Sequence, residues 1–88
     1  MPVTQEFLTT FHALPRGLSQ GFYEGRKYSV TVKYNANDRS AWLYGEELDG
    51  SNHISCNIYF LKNKNTRLKP CEMPARKVID FVRSFEPV

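Results

Sequence analysis

The side chains with the most reactive chemistry are two cysteines, Cys56 and Cys71, and two histidines, His12 and His53. A zinc centre needs four such ligands at short recurring spacings, and positions 12, 53, 56 and 71 match none. Cys71 is the strongest single candidate. It stands just before an expected helix N-terminus, where the dipole lowers a thiol pKa, and Lys69 adds a nearby cation. Glu72 beside it works the other way. A nucleophilic pair would need a histidine. His53 belongs to the same expected sheet face, but the four residues from His53 to Asn57 alone span roughly 13 Å at strand rise. His12 falls off the apolar stripe of an expected helix and has no local partner for base catalysis. Cys71 therefore stands as a candidate reactive thiol, for a thiol-dependent enzyme or redox sensor, ranked behind the binding roles below.

Other patterns carry less. Glu46 and Glu47 are neighbours on an expected strand, so they face opposite ways and cannot share a substrate; they read as solubility charges. Gly17, Gly21 and Gly25 recur at every fourth residue, without the strand and helix that a phosphate cradle requires. They read as turn and edge residues. Lys62 to Thr66, KNKNT, reads as a solvated hairpin loop in preference to a basic finger for phosphates. No catalytic constellation emerges, and no cofactor or metal is expected.

The remaining chemistry is aromatic and cationic, and it depends on which way three strands face. Arg26–Tyr34, Arg39–Leu48 and His53–Leu61 are the expected strands. In the first, Tyr28, Val30, Val32 and Tyr34 alternate with Lys27, Ser29, Thr31 and Lys33. In the third, Ile54, Cys56, Ile58 and Phe60 alternate with His53, Ser55, Asn57 and Tyr59. Strict alternation marks a strand with one buried face. The middle strand is ambiguous alone, because Ala41, Leu43 and Gly45 alternate with Trp42, Tyr44 and Glu46.

The turns resolve it. Four-residue loops, Asn35–Asp38 and Asp49–Asn52, set Leu43 opposite both Val30 and Ile58, Ala41 opposite Val32, and Gly45 opposite Cys56. The core face then holds Val30, Val32, Ala41, Leu43, Ile54, Cys56, Ile58 and Phe60. The opposite face holds Trp42, Tyr44 and Tyr59 with Lys27, Lys33 and Asn57. A bulge or three-residue loop would exchange the faces of the middle strand and bury the rings.

Flanking segments complete the fold. Val3–Leu14 reads as a helix with Thr4 at its N-cap, an apolar stripe of Phe7, Leu8, Phe11 and Leu14, and a stop at Pro15. Leu18–Tyr23 reads either as a short strand turning through Glu24-Gly25, or as part of one longer strand with Gly25 as a bulge. Arg67–Cys71 fits an edge strand, since Pro70 cannot donate to a ladder. A five-residue loop would set Leu68 beside Phe60, Lys69 beside Tyr59 and Cys71 beside Asn57. Pro74–Phe85 reads as a second helix with Pro74 at N1 and a face of Val78, Phe81, Val82 and Phe85. Glu86–Val88 reads as a frayed tail.

The expected architecture is one α+β domain over residues 1–88. It is a two-layer sandwich: an antiparallel meander of three to five strands, with N- and C-terminal helices on the same face. This helix–strands–helix order is similar to that of double-stranded-RNA-binding domains. The second helix begins PARKVIDF, with Arg76 and Lys77 where those domains carry a lysine-rich start, so no site residue is transferred.

The chain has 88 residues, a 41% hydrophobic and 14% aromatic content, and a net charge of +3, which suits a folded domain. No run of like charges, signal peptide or apolar span is expected. The two cysteines would face opposite sides of the sheet, so no bridge and a cytoplasmic location are expected. The leading expectation is a non-enzymatic binding or regulatory module. Its open face, with Trp42, Tyr44 and Tyr59 among Lys27, Lys33, Asn57 and Lys69, would hold a protein partner or a second copy. The rival expectation is RNA or single-stranded DNA, with bases stacked on the rings and phosphates on the cations.

Overall fold

The computed structural model describes residues 3–61 and 66–88. Two helices and six strands follow in the order α1 (Gln5–Ala13), β1 (Gly17–Tyr23), β2 (Arg26–Tyr34), β3 (Ser40–Glu47), β4 (His53–Phe60), β5 (Thr66–Pro70), α2 (Ala75–Ser84) and β6 (Glu86–Pro87). All strands join one antiparallel sheet in the order β5-β4-β3-β2-β1-β6. The α+β sandwich is thus the expected one, with a sixth strand added.

The faces of the sheet follow the expected parity, and every expected register is displaced by two residues. Leu43 pairs with Val32 and Cys56, and Ala41 with Tyr34 and Ile58. Gly45 pairs with Val30 and Ile54. Both loops still hold four residues, but each begins one residue away from its expected start. The Asn35 N–H donates to the Ser40 carbonyl at 3.0 Å, which extends the β2–β3 ladder. The Asn35 side chain also accepts from the N–H groups of Asn37 and Arg39 at 3.2 and 2.8 Å. In the next hairpin Glu47 N–H donates to the Asn52 carbonyl at 2.9 Å. An asparagine assigned to each loop therefore belongs to the ladder, because its side chain or backbone can satisfy turn and strand together.

The same displacement recurs in the outer hairpin. Leu68 pairs with Ile58 and Lys69 with Asn57, and Cys71 N–H donates to the Ser55 carbonyl at 2.9 Å. Thr66, expected in the loop, opens β5 and is buried. The expected loop and basic finger at Lys62–Asn65 lie outside the described residues. Between β1 and β2, Glu24 and Gly25 have φ of 51° and 76°, the left-handed pair of a type I′ hairpin turn. The strand reading of Leu18–Tyr23 holds, and the bulge reading is removed.

One face of the sheet is covered. Every expected core residue is buried except Phe60, which is half-buried against the core. Thr4 caps α1 through its Oγ1, which accepts from Phe7 N–H at 3.1 Å. Phe7 and Phe11 carry its buried side, and Phe11 reaches Tyr34 at 6.0 Å between ring centres. The second helix starts one residue later than expected: Pro74 is the N-cap, with extended ψ of 144°. Val78, Phe81 and Val82 carry its buried side.

Phe81 is the centre of that side. Its ring lies 4.8 Å from Tyr23, 5.2 Å from Tyr28 and 5.2 Å from Phe85, centre to centre. Beneath it is Gly45, where a β-carbon would stand 3.3 Å from the ring. The missing side chain on β3 is the seat that lets α2 approach the sheet. Tyr28 is buried, and its hydroxyl accepts from Asn52 Nδ2 at 2.8 Å, tying the β3–β4 loop to β2. Glu47, expected as a solubility charge, instead turns inward. Its side chain is 8% exposed and accepts from Arg26 at 2.9 Å, so it fastens the same loop.

The segment expected as a frayed tail is β6. Gly21 pairs with Pro87 and Phe22 with Glu86, and Val88 N–H donates to the Gln20 carbonyl at 2.9 Å. Absence of a side chain at Gly21 permits this, since a β-carbon there would overlap the Glu86 carbonyl and the Phe85 ring. Both sheet edges are thereby blunted: β1 by β6, and β5 by Arg67, Lys69 and Pro70. No described helix is long and apolar enough to cross a membrane.

Phe81→Ala is expected to destabilise the domain by about 3–5 kcal/mol, as large aromatic truncations in packed cores do. Urea unfolding followed by circular dichroism measures it. A loss under ~1 kcal/mol would show that the Gly45 seat does not hold α2.

Candidate open-face interaction site

The uncovered face presents one row of residues per register step. Lys33, Trp42, Asn57 and Lys69 stand side by side across β2, β3, β4 and β5. Leu18, Thr31, Tyr44 and Ser55 form the next row. Gln20, Ser29, Glu46 and His53 follow, and Phe22 stands beside Lys27 at the far end. On the other side, Ser40, Tyr59 and Arg67 align. All of the expected interface residues thus share this face: Trp42, Tyr44, Tyr59, Lys27, Lys33, Asn57 and Lys69. The register brings Lys33, Trp42, Asn57 and Lys69 into a single line and sets Lys27 apart.

The rings are packed on one another. Trp42 and Tyr44, two apart on β3, stack with planes 8° apart and centres 5.9 Å apart. His53 lies beyond Tyr44 at 6.4 Å. Tyr44 donates its hydroxyl proton to Glu46 at 3.4 Å. Trp42 remains 36% exposed and Tyr59 38%. A ring inserted between two others needs about 7 Å, two van der Waals separations, so nothing fits between Trp42 and Tyr44.

The electrostatics are one-sided. Lys27, Lys33, Arg67 and Lys69 share the described face with two carboxylates, Glu46 and, opposite Phe22 on β6, Glu86, a net of +2. Ion pairs among the described residues are Arg16–Asp38, Arg26–Glu47 and Arg76–Asp80. None engages these four cations.

Residue-type patterns alone missed Leu18 and Phe22, which are 72% and 47% exposed on this face. The two-residue Glu24-Gly25 turn held the signal, because it fixes both opposite the lysine side of β2. Also missed was the cluster around His12. The imidazole lies 5.1 Å from the Phe60 ring and stacks on Tyr34, with Nδ1 2.9 Å from the Tyr34 hydroxyl. The Arg16 guanidinium lies over the Tyr34 ring, 3.8 Å from its centre. His12 is therefore exposed yet engaged, with a partner that comes from β2 and not from its own helix.

The two thiols are free. Cys71 is half-buried at the end of β5, and Cys56 lies fully inside the core. The displaced register sets Cys71 beside Ser55, two residues from His53 and nearer to it than expected, while the His53 ring stacks on Tyr44. Burial pushes the Cys56 thiol up to about 12, with neighbouring Cys71 adding to the rise. Burial also raises Tyr23 and Tyr34; Glu24 reinforces the first shift, and Arg16 opposes the second. No group of three or more His, Cys, Asp or Glu is placed to hold a metal among the described residues.

No family model matches the chain, and comparison with curated proteins and with solved structures gives no significant match.

Two outcomes are expected. Trp42→Ala should keep the native circular dichroism spectrum and cost roughly 1 kcal/mol, because the ring lies on the surface and loses mainly one stacked pair; a collapse of the fold would place the indole in the core. Alkaline pH should destabilise the domain. Cys56, Tyr23 and Tyr34 hold their protons more tightly folded than unfolded, so their contribution is complete below about pH 9 and is lost as pH rises toward 12. A urea midpoint that falls between those limits is the expected reading; one that rises would reverse the sign.

Proposed function

We propose that this chain is a non-enzymatic binding module whose open sheet face holds an acidic segment of a protein partner. The carrying observation is the coincidence of exposed rings and apolar side chains with four cations that form no ion pair among the described residues, all on one face. Trp42, Tyr59, Leu18 and Phe22 supply apolar area, and Lys27, Lys33, Arg67 and Lys69 supply charge. Five strands of this length give a projected area on the order of 500 Å2. Its accessible area approaches the ~800 Å2 that one partner brings to a standard interface.

Charge argues against a second copy stacked on this face. A two-fold stack would bring eight cations together with four carboxylates, and like-charge apposition at an interface is costly. Ring geometry argues against a nucleic-acid strand. Trp42 and Tyr44 already stack on each other at 5.9 Å, whereas base platforms offer separate ring faces to successive bases. Free thiols at Cys56 and Cys71 support a reducing, cytoplasmic setting.

A random glutamate–tyrosine copolymer is a suitable probe, with Trp42 fluorescence as the readout and an oligo-dT strand as the competitor. Binding of the copolymer at ~50 mM salt, weakened about tenfold or more by Lys33→Glu with Lys69→Glu, is the expected result. Binding of oligo-dT alone would reassign the face to nucleic acid. Binding of neither would remove the proposal.

A further inference from the structure

The open-face residues of β3 run Ser40, Trp42, Tyr44, Glu46. Tyr44 covers one side of the indole. On the other side the next open-face residue of β3 is Ser40, whose hydroxyl accepts from Asn35 Nδ2 at 3.0 Å. A cleft of about 210 Å3 opens there, lined by Lys33, Asn35, Ser40, Trp42 and Asn57. Through Asn35 and Ser40 it adjoins a second cleft of about 460 Å3, walled by Arg39, Tyr59, Phe60 and Leu61.

We infer that the gap over Ser40 is the anchor pocket of the open face, and that it takes one aromatic side chain flanked by carboxylates. This rests on the acidic-partner reading above. Size comes first: the gap falls below the roughly 300–1,000 Å3 of small-molecule pockets, which suits a single side chain. Shape comes second, since the exposed face of Trp42 is a flat wall and aromatic rings gain from stacking there. The wall opposite is stiff. Asn35 is held by Asn37, Arg39 and Ser40 at once, so the pocket exists before its occupant arrives.

Polarity is the third argument. Lys33 and Asn57 flank Trp42 in register on either side. Neither engages another side chain among the described residues, and Arg39 also makes no ion pair among them. These donors await acceptors next to the ring. A nucleotide would meet the same stack and cations, Arg39 included, but the adjoining cleft is otherwise walled mainly by Tyr59, Phe60 and Leu61. That surface fits the next apolar side chain of a peptide better than a sugar–phosphate.

Trp42 is the single tryptophan of the chain, so its indole N–H gives one resonance to follow. The whole chain is titrated by heteronuclear NMR with the blocked peptides Glu-Tyr-Glu, Glu-Leu-Glu and Lys-Tyr-Lys, and with adenosine monophosphate. Glu-Tyr-Glu should shift the Trp42 indole and the Ser40 and Asn57 amides saturably, with the two other peptides about five- to tenfold weaker. Ser40→Phe, which puts a ring into the gap, should abolish the response. Lys33→Glu, an exposed change with no packing role, should weaken it even if the first variant misfolds. An equal response to the leucine peptide, a response to the nucleotide alone, or a folded Ser40→Phe that still responds would overturn the assignment. If the glutamate–tyrosine copolymer binds while the tripeptide shifts lie elsewhere, the anchor fails and the acidic-partner reading stands. If neither binds, both fail.

Discussion

The fold turns on the contact between Phe81 and the bare backbone of Gly45. A side chain at position 45 would press on the second helix through the Phe81 ring, which already stands 3.3 Å from where a β-carbon would be. With the helix seated, Tyr23, Tyr28 and Phe85 close around the ring. Close packing of this kind makes interiors sensitive to a single methylene. The contact also decides which side of the sheet is left bare. Both helices spend their apolar stripes on the face that carries Gly45, and nothing in the described chain remains to cover Trp42.

That division separates the two kinds of polar chemistry in the molecule. On the covered side Tyr28 is fastened to Asn52, Glu47 to Arg26 and Thr4 to the start of the first helix, while the buried Ser19 hydroxyl has no partner among the described residues. Those bonds serve the fold. On the bare side the lysines and Asn57 engage no other side chain among the described residues, and the rings stack on each other without being enclosed. An unfastened polar set beside half-exposed rings is what an interface looks like before its partner binds. Charge sharpens this, because a face with a net positive charge selects for a partner of opposite sign.

Much of this was legible in the residues. Alternation in β2 and β4, together with even-numbered loops, placed the indole outward and filled the core list, because side-chain period two is insensitive to a shift of two. That same insensitivity is why register was not legible. Asn35 and Asn52 look like turn residues, yet their groups also serve the ladder, and each hairpin closed one pair away from its composition boundary. Glu47 was illegible for a similar reason: a carboxylate at a strand end reads as solvated until Arg26 arrives from a neighbouring hairpin. Ser40 carried no signal either. A serine earns notice only when the rings on either side of it are placed.

The short β6 has a consequence for how the chain assembles. Five strands form a meander whose neighbours are adjacent along the chain, so each hairpin can form soon after its residues exist. The sixth strand is different. It lies beside β1 yet follows α2, so β1 keeps an open edge until the last helix has docked. During synthesis the sheet therefore carries one adhesive margin until residues 86–88 have been made and docked. Closure of that margin depends on Gly21 admitting Phe85 and Glu86.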